Sequence, residues 1–195
     1  MPSKDSTQLS SEVASLAAAS SPSIDLSTAP PPDNDPAILA HLANVHIDRL
    51  IAHSPIYAFL LSRASFICAK RGAFRARLAL GPEHLNSRGS LHGSVSATVV
   101  DWAGGLAVAS WDGRFRTGVS TDIHVSYLGG AREGEVVEVE AVAQKVGGSM
   151  AFTTVEVWAV EGAQRKRLVV SGRHTKFLKE PGQRAEGSGQ GAGRS

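Results

Sequence analysis

The chain has 195 residues, 42% of them hydrophobic, with a formal net charge of +2 and a single cysteine, Cys68. That suffices for one domain with a sizeable core. Near-neutral charge argues against nucleic-acid binding by charge alone, and one cysteine excludes an internal disulfide or a zinc–cysteine cluster.

Residues 1–34 are rich in serine and alanine and end near Pro30-Pro31-Pro32. Such a segment buries too little apolar surface to offset its ordering entropy. The expectation is a disordered N-terminal extension over 1–34, with at most a marginal helix within 11–20. It lacks a basic segment followed by an apolar one. No apolar run in the chain reaches the roughly 20 residues of a bilayer span. The expected setting is intracellular, cytoplasmic or mitochondrial, with no membrane span.

A folded domain is expected over 35–179. Asp35-Pro36 starts a helix, and Ile38, Leu39, Leu42, Val45, Ile47, Leu50 and Ile51 give it one apolar face. His41, Asn44, His46 and His53 are assigned to its solvated face. Pro55 interrupts the pattern, and 56–61 is read as a second short turn. From Ser65 the period changes. Phe66–Ala69 and Ala73–Leu80 read as strands, with Arg75 and Arg77 alternating against Phe74, Ala76 and Leu78.

A loop over 81–90 leads into HLNSRGSLHGSVSATVVDWAGGLAVAS, read as a buried helix from about Leu91 to Ser110. A loop followed by a helix start aims backbone N–H groups outward. Asp101 inside an apolar helix must be paired, hydrated or functional. Four strands are expected afterwards, over 118–128, 135–146, 150–160 and 167–178. In the first, Val119, Thr121, Ile123, Val125 and Tyr127 share one face; Ser120, Asp122, His124 and Ser126 share the other. Gly147-Gly148 is a hairpin turn. The tail, 180–195, is expected to be disordered. The order implies an α+β fold, with a long helix lying across a curved antiparallel sheet.

The run from His84 to Asp101, then Gly118-Val119-Ser120-Thr121-Asp122, Met150-Ala151-Phe152-Thr153 and Gly172-Arg173-His174-Thr175-Lys176, resembles the hotdog-fold acyl-CoA thioesterases of the PaaI-like group. The resemblance spans roughly 36–179. It implies a hotdog homodimer, or a dimer of dimers, that hydrolyses fatty or aryl acyl-CoA without a cofactor, coenzyme A being part of the substrate. Matched position by position, it implies that Asn86 and His92 are polar loop residues of the site. Gly93 is its oxyanion-binding amide and Asp101 its carboxylate. Ser120 helps hold the attacking water. Asp122, Tyr127, the turn Lys145, Gly147, Gly148, Ser149 and Met150, and the segment His174, Lys176 and Phe177 approach substrate or coenzyme A. Ser94 departs from the pattern, where many relatives carry glycine, and Trp102 is bulky.

The residues support such chemistry by themselves. A thioester needs an activated water or nucleophile and a site for the developing oxyanion. Gly93 can present its amide with the helix dipole behind it. Asp101 is eight positions further on, about 12 Å along a helix axis, so one carbonyl cannot reach both within one chain. Two antiparallel helices across a two-fold axis bring each Gly93 to the partner's carboxylate. Several alternatives remain. Asp101 is a structural carboxylate, His92 merely orients the loop, Asn86 serves turn chemistry, or Ser120 is a plain sheet hydroxyl. At the level of function they are a hotdog acyl-thioester dehydratase or hydratase, or a non-catalytic acyl-CoA-binding dimer. No Ser-His-Asp signature of the G-x-S-x-G type and no metal-ligand spacing among the histidines is present.

Overall fold

A computed structural model describes residues 33–178. Apart from Asp33 and Asn34, the segments expected to be disordered, and the short helix within one of them, lie outside the described residues. Asn34 accepts the Ala69 N–H at 2.9 Å.

Asp35 caps α1 (Pro36–Asn44), its carboxylate accepting the Ala37 and Ile38 amides. The helix continues as a π-helical stretch, Val45–Ile51. Ser54-Pro55 breaks the run and opens α2 (Pro55–Leu61). Strands β1 (Ser65–Lys70) and β2 (Ala73–Ala79) follow. Then come a short 3-10 turn, Pro82–His84, and α3 (Gly93–Asp112). The chain closes with β3 (Val119–Tyr127), β4 (Val136–Val146), β5 (Met150–Glu161) and β6 (Gln164–Phe177). All pairings are antiparallel, in the order β1-β2-β4-β5-β6-β3. This is the α+β arrangement that the residue pattern implies.

Helix α3 is the centre of the core. Between 99 and 110 every residue except Asp101 is buried, as befits a helix apolar on all sides. Two glycines set its distance from the sheet. A Cβ on Gly172 of β6 would lie 2.6 Å from Val100, and one on Gly104 would lie 2.6 Å from His174 Nδ1.

Two expectations need correction. His46 does not face solvent. It is 3% exposed, and its Nδ1 accepts the Trp102 indole N–H at 3.1 Å. Its neighbour Ile47, expected on the apolar face, is instead 60% exposed. The π-helical winding displaces the period-3.6 face on which both were placed. Trp102 accordingly points into the core, among Phe66, Phe74 and His46, away from the Asp101 side.

The second correction concerns β3. Ser120 pairs with Lys176 and Asp122 with Thr175, so Thr121 is an extra, bulged residue. The bulge shifts the alternation by one. Ser120 therefore shares the helix-facing side with Val125 and Tyr127, and Asp122 and His124 face outward.

Candidate active site

Asp101 is the break in the buried stretch of α3, with 31% of its side chain exposed. Hydroxyls from two other elements hold its two oxygens. Tyr57 of α2 donates to Oδ2 at 2.5 Å, and Ser120 of β3 donates to Oδ1 at 2.9 Å. Beneath them lie two buried side chains of β6. His174 Nε2 is 3.5 Å and Lys176 Nζ 3.7 Å from Oδ1. Burial alone would push the Asp101 carboxyl up. The Tyr57 bond, the Lys176 charge and the Ser120 bond outweigh it and hold the carboxyl below its usual range. Burial pulls Lys176 down, against the opposing charge of Asp101. Burial and the Lys176 cation push His174 down to about 4, so its ring is neutral at neutral pH.

The proton order follows from these bonds. Ser120 has one hydroxyl proton and donates it to Asp101. His174 Nε2, 2.9 Å from Ser120 Oγ, must then be the N–H donor to that oxygen. Its Nδ1 is buried and faces Gly104. Serine, histidine and aspartate are all present, yet not as a nucleophilic triad. There, histidine stands between serine and carboxylate and removes the serine proton. Here serine stands between histidine and carboxylate, and every neighbour donates toward Asp101. The cluster can hold a charged carboxylate ready to accept a proton.

A second group gathers at the N-terminus of α3. His92 is the helix cap; its Nδ1 accepts the Ser94 N–H at 3.1 Å and lies 2.7 Å from Ser94 Oγ. Ser94 thus completes the cap. Asn86 Oδ1 accepts the Arg88 and Ser90 amides, closing the turn over Gly89, which takes φ 68°. That use of Oδ1 leaves the Asn86 Nδ2 donors for another acceptor. The Gly93 amide is one of the helix's initial N–H groups without an intrahelical acceptor. Tyr127, at the far end of β3, packs on Gly93 and donates to its carbonyl at 3.3 Å. His84 is buried in the preceding loop. Its Nδ1 accepts the Gly81 N–H, so its Nε2–H donates to the Leu60 carbonyl at 2.8 Å.

The structure therefore joins Asp101 with Ser120, His174 and Lys176, and separately joins Asn86, His92, Gly93 and Tyr127. The two groups lie on one helix, with eight residues between Gly93 and Asp101, about 12 Å apart along the axis. Asp122 falls in neither group; it lines an outer-face groove with His124, Gln144, Phe152 and Arg173. Lys145, Gly147, Gly148, Ser149 and Met150 form the β4–β5 turn, whose Ser149 carbonyl accepts the Leu178 N–H. Phe177 pairs with Met150 at that end of the sheet and is 39% exposed. Sequence reasoning missed Tyr57. The available signal was a single phenol within the apolar turn PIYAFLL, since a buried tyrosine hydroxyl normally needs a polar partner.

Among the described residues, no helix is long and apolar enough to cross a membrane. No grouping of three His, Cys, Asp or Glu side chains able to hold a metal ion occurs there either.

Known proteins share this fold. Residues 88–166 match the thioesterase superfamily model. Human acyl-coenzyme A thioesterase 13 is 32% identical over 119 residues, which is 61% of this chain and 82% of that protein. The crystal structure of zebrafish thioesterase superfamily member 2 superposes with a TM-score of 0.63 at 31% identity, over 72% of this chain and 98% of that one. Its mouse counterpart gives a TM-score of 0.58 at 26% identity, over 71% and 97%.

Proposed function

This chain belongs to the thioesterase superfamily, as a PaaI-like hotdog thioester hydrolase, and from that premise we propose that it hydrolyses fatty or aryl acyl-coenzyme A to the free acid and coenzyme A. The proposal rests on one observation. Asp101 is a charged carboxylate at which all the neighbouring hydrogen bonds terminate, on a helix whose first amide has no intrahelical partner. Its similarity to human acyl-coenzyme A thioesterase 13 agrees with an acyl-coenzyme A substrate.

In the reaction, Asp101 takes a proton from water as the water oxygen bonds to the thioester carbon. Negative charge moves to the carbonyl oxygen, where the Gly93 amide and the helix dipole receive it, with Asn86 Nδ2 as a second donor. The tetrahedral intermediate collapses, the carbon–sulfur bond breaks, and the coenzyme A thiolate takes the proton held by Asp101. Ser120 anchors the carboxylate and the water; the neutral His174 and the Lys176 cation hold Ser120 and Asp101 from below. His92 caps the helix that carries Gly93. Tyr127, Asp122, Phe177 and the 145–150 turn border the approach of coenzyme A.

The active site is completed by a second copy of the chain. Strand β3 is an uncovered edge, exposed along most of its length, and such edges pair readily. Its Ser120 end lies at Asp101 and its Tyr127 end at Gly93. Antiparallel pairing of β3 with its copy brings one protomer's Asp101 cluster to its partner's helix N-terminus. This makes a homodimer with two sites; dimers can pair further through the outer sheet face.

The test is thiol release from a panel of acyl-coenzyme A thioesters, with Asp101→Asn alongside. The wild type releases thiol and Asp101→Asn loses at least a hundredfold. Failure of the wild type on every thioester removes the proposed function; full activity in Asp101→Asn removes the role of that residue. Gly93→Pro removes the amide hydrogen and adds a ring, at a helix position that tolerates proline and where a Cβ meets Tyr127 at 3.4 Å. Mixed dimers of Gly93→Pro and Asp101→Asn chains regain activity if the site is shared.

A further inference from the structure

We infer that Tyr57 is a positioning residue for Asp101: a dedicated short helix delivers its hydroxyl to the second carboxylate oxygen, so that Tyr57 and Ser120 together fix the plane of the group that works on water. The inference rests on the proposed role of Asp101 and adds a residue that no feature of the 84–101 run discloses.

Helix α2 has seven residues, too few to be stable alone. Its C-terminal carbonyls have no helical partners, and two buried histidines take them. His84 donates through Nε2 to the Leu60 carbonyl at 2.8 Å. His46 makes a backbone hydrogen bond to Leu61. The other ring nitrogen of each histidine accepts a hydrogen bond, from the Gly81 amide and from the Trp102 indole respectively. Each ring therefore has one fixed tautomer and one fixed direction. Leu60 and Leu61 lock into the core, and Ile56 and Phe59 stay outside at 55% and 67% exposure. Tyr57 is the only polar side chain of α2 directed at the site.

The bond works in one direction. Burial, then the adjacent Asp101 carboxylate, push the Tyr57 phenol far above its ordinary range. Tyr57 is therefore a permanent donor and never the base. A carboxylate offers about four lone-pair sites. Tyr57 takes one on Oδ2 and Ser120 one on Oδ1. Oδ1 also faces His174 and Lys176, so Oδ2 keeps the open site for the water proton, in a plane that can no longer rotate. The bond also favours the charged carboxylate against the burial that opposes it.

The experiment is the pH profile of thiol release from an acyl-coenzyme A by the full chain, as wild type, Tyr57→Phe and Asp101→Asn. Asp101 must be unprotonated to act, so kcat/KM falls on the acid side as it protonates. Tyr57→Phe moves that acid limb up by about one pH unit, the size expected for loss of a hydrogen bond to a charged group. It lowers kcat about tenfold and leaves KM within about twofold. Substitution of 3-fluorotyrosine at position 57 keeps the ring and strengthens the donor, so the limb moves down. This second variant decides the matter if Tyr57→Phe fails to fold, because a purely structural phenol would not move the limb in either direction. An acid limb fixed across the wild type and both substitutions overturns the role of Tyr57, while loss of activity in Asp101→Asn still upholds the base. Full activity in Asp101→Asn overturns the base itself, whatever Tyr57 does.

Discussion

Gly104→Ala tests how tightly the support beneath Asp101 is built. The new Cβ would lie 2.6 Å from His174 Nδ1 and 2.8 Å from Thr153 Oγ1, where ordinary contacts are 3.4–4 Å. Alanine gains about 1 kcal/mol in helix propensity over glycine. Against this, the imidazole must retreat by most of an ångström into a site with no slack. Thr153 donates to the His174 carbonyl at 3.1 Å, and the ring is tied to Ser120 at 2.9 Å. Overpacking of this kind costs about 1–3 kcal/mol, and loss of the bond to Ser120 adds about 1 kcal/mol. The net expectation is a loss of about 1–3 kcal/mol in urea unfolding, with thiol release reduced at least tenfold because Ser120 loses its donor. A Gly104→Ala protein as stable and as active as the wild type would refute the claim that this glycine exists to seat His174.

The depressed His174 also predicts a pH-dependent stability. Its folded value of about 4 lies below the unfolded 6.5, so its contribution is complete above about pH 6.5 and is lost as pH falls toward 4. The loss amounts to about 3 kcal/mol between unfolding curves at pH 7 and pH 4, at about 1.4 kcal/mol per pH unit. His174→Gln should flatten the difference, and an unchanged slope in that variant would place the titration elsewhere. Lys176→Met removes the cation 3.7 Å from Asp101, and the acid limb of kcat/KM should rise; an unmoved limb would show that the cation is not felt there. Gly118 takes φ 77°, and a Cβ there would stand 2.6 Å from the Phe177 carbonyl oxygen. Gly118→Ala should cost about 1–3 kcal/mol, read in thermal unfolding, with faster hydrogen exchange along β3.

Much of this architecture is written in local pattern. The long helix is legible because mostly small, largely apolar residues run from Val95 to Ser110 around a single carboxylate. The strands are legible from alternation, as in Arg75 and Arg77 against Phe74, Ala76 and Leu78. What escaped reading depends on geometry that no window of sequence contains. Tyr57 meets Asp101 across 44 residues of chain, and nothing near either residue announces the other. His46 escaped because a π-helical segment breaks the period by which exposure is inferred. His174 and Lys176 were legible as a motif, but their burial beneath Asp101 comes from β6 pairing with β3. Ser120 was assigned to the wrong face by a strict period of two.

The extra residue in β3 leaves a trace in the tolerance of the strand to mutation. A saturation scan of 119–127 should not return one alternating series. Before Thr121, the even position resists replacement; after it, the odd positions 123, 125 and 127 do. Deleting Thr121 would straighten the ladder and leave Ser120 opposite Lys176 and Asp122 opposite Thr175, so Ser120 would keep its helix-facing side. An alignment to a relative without the extra residue would therefore open its gap at Thr121 and keep Ser120 opposite Lys176.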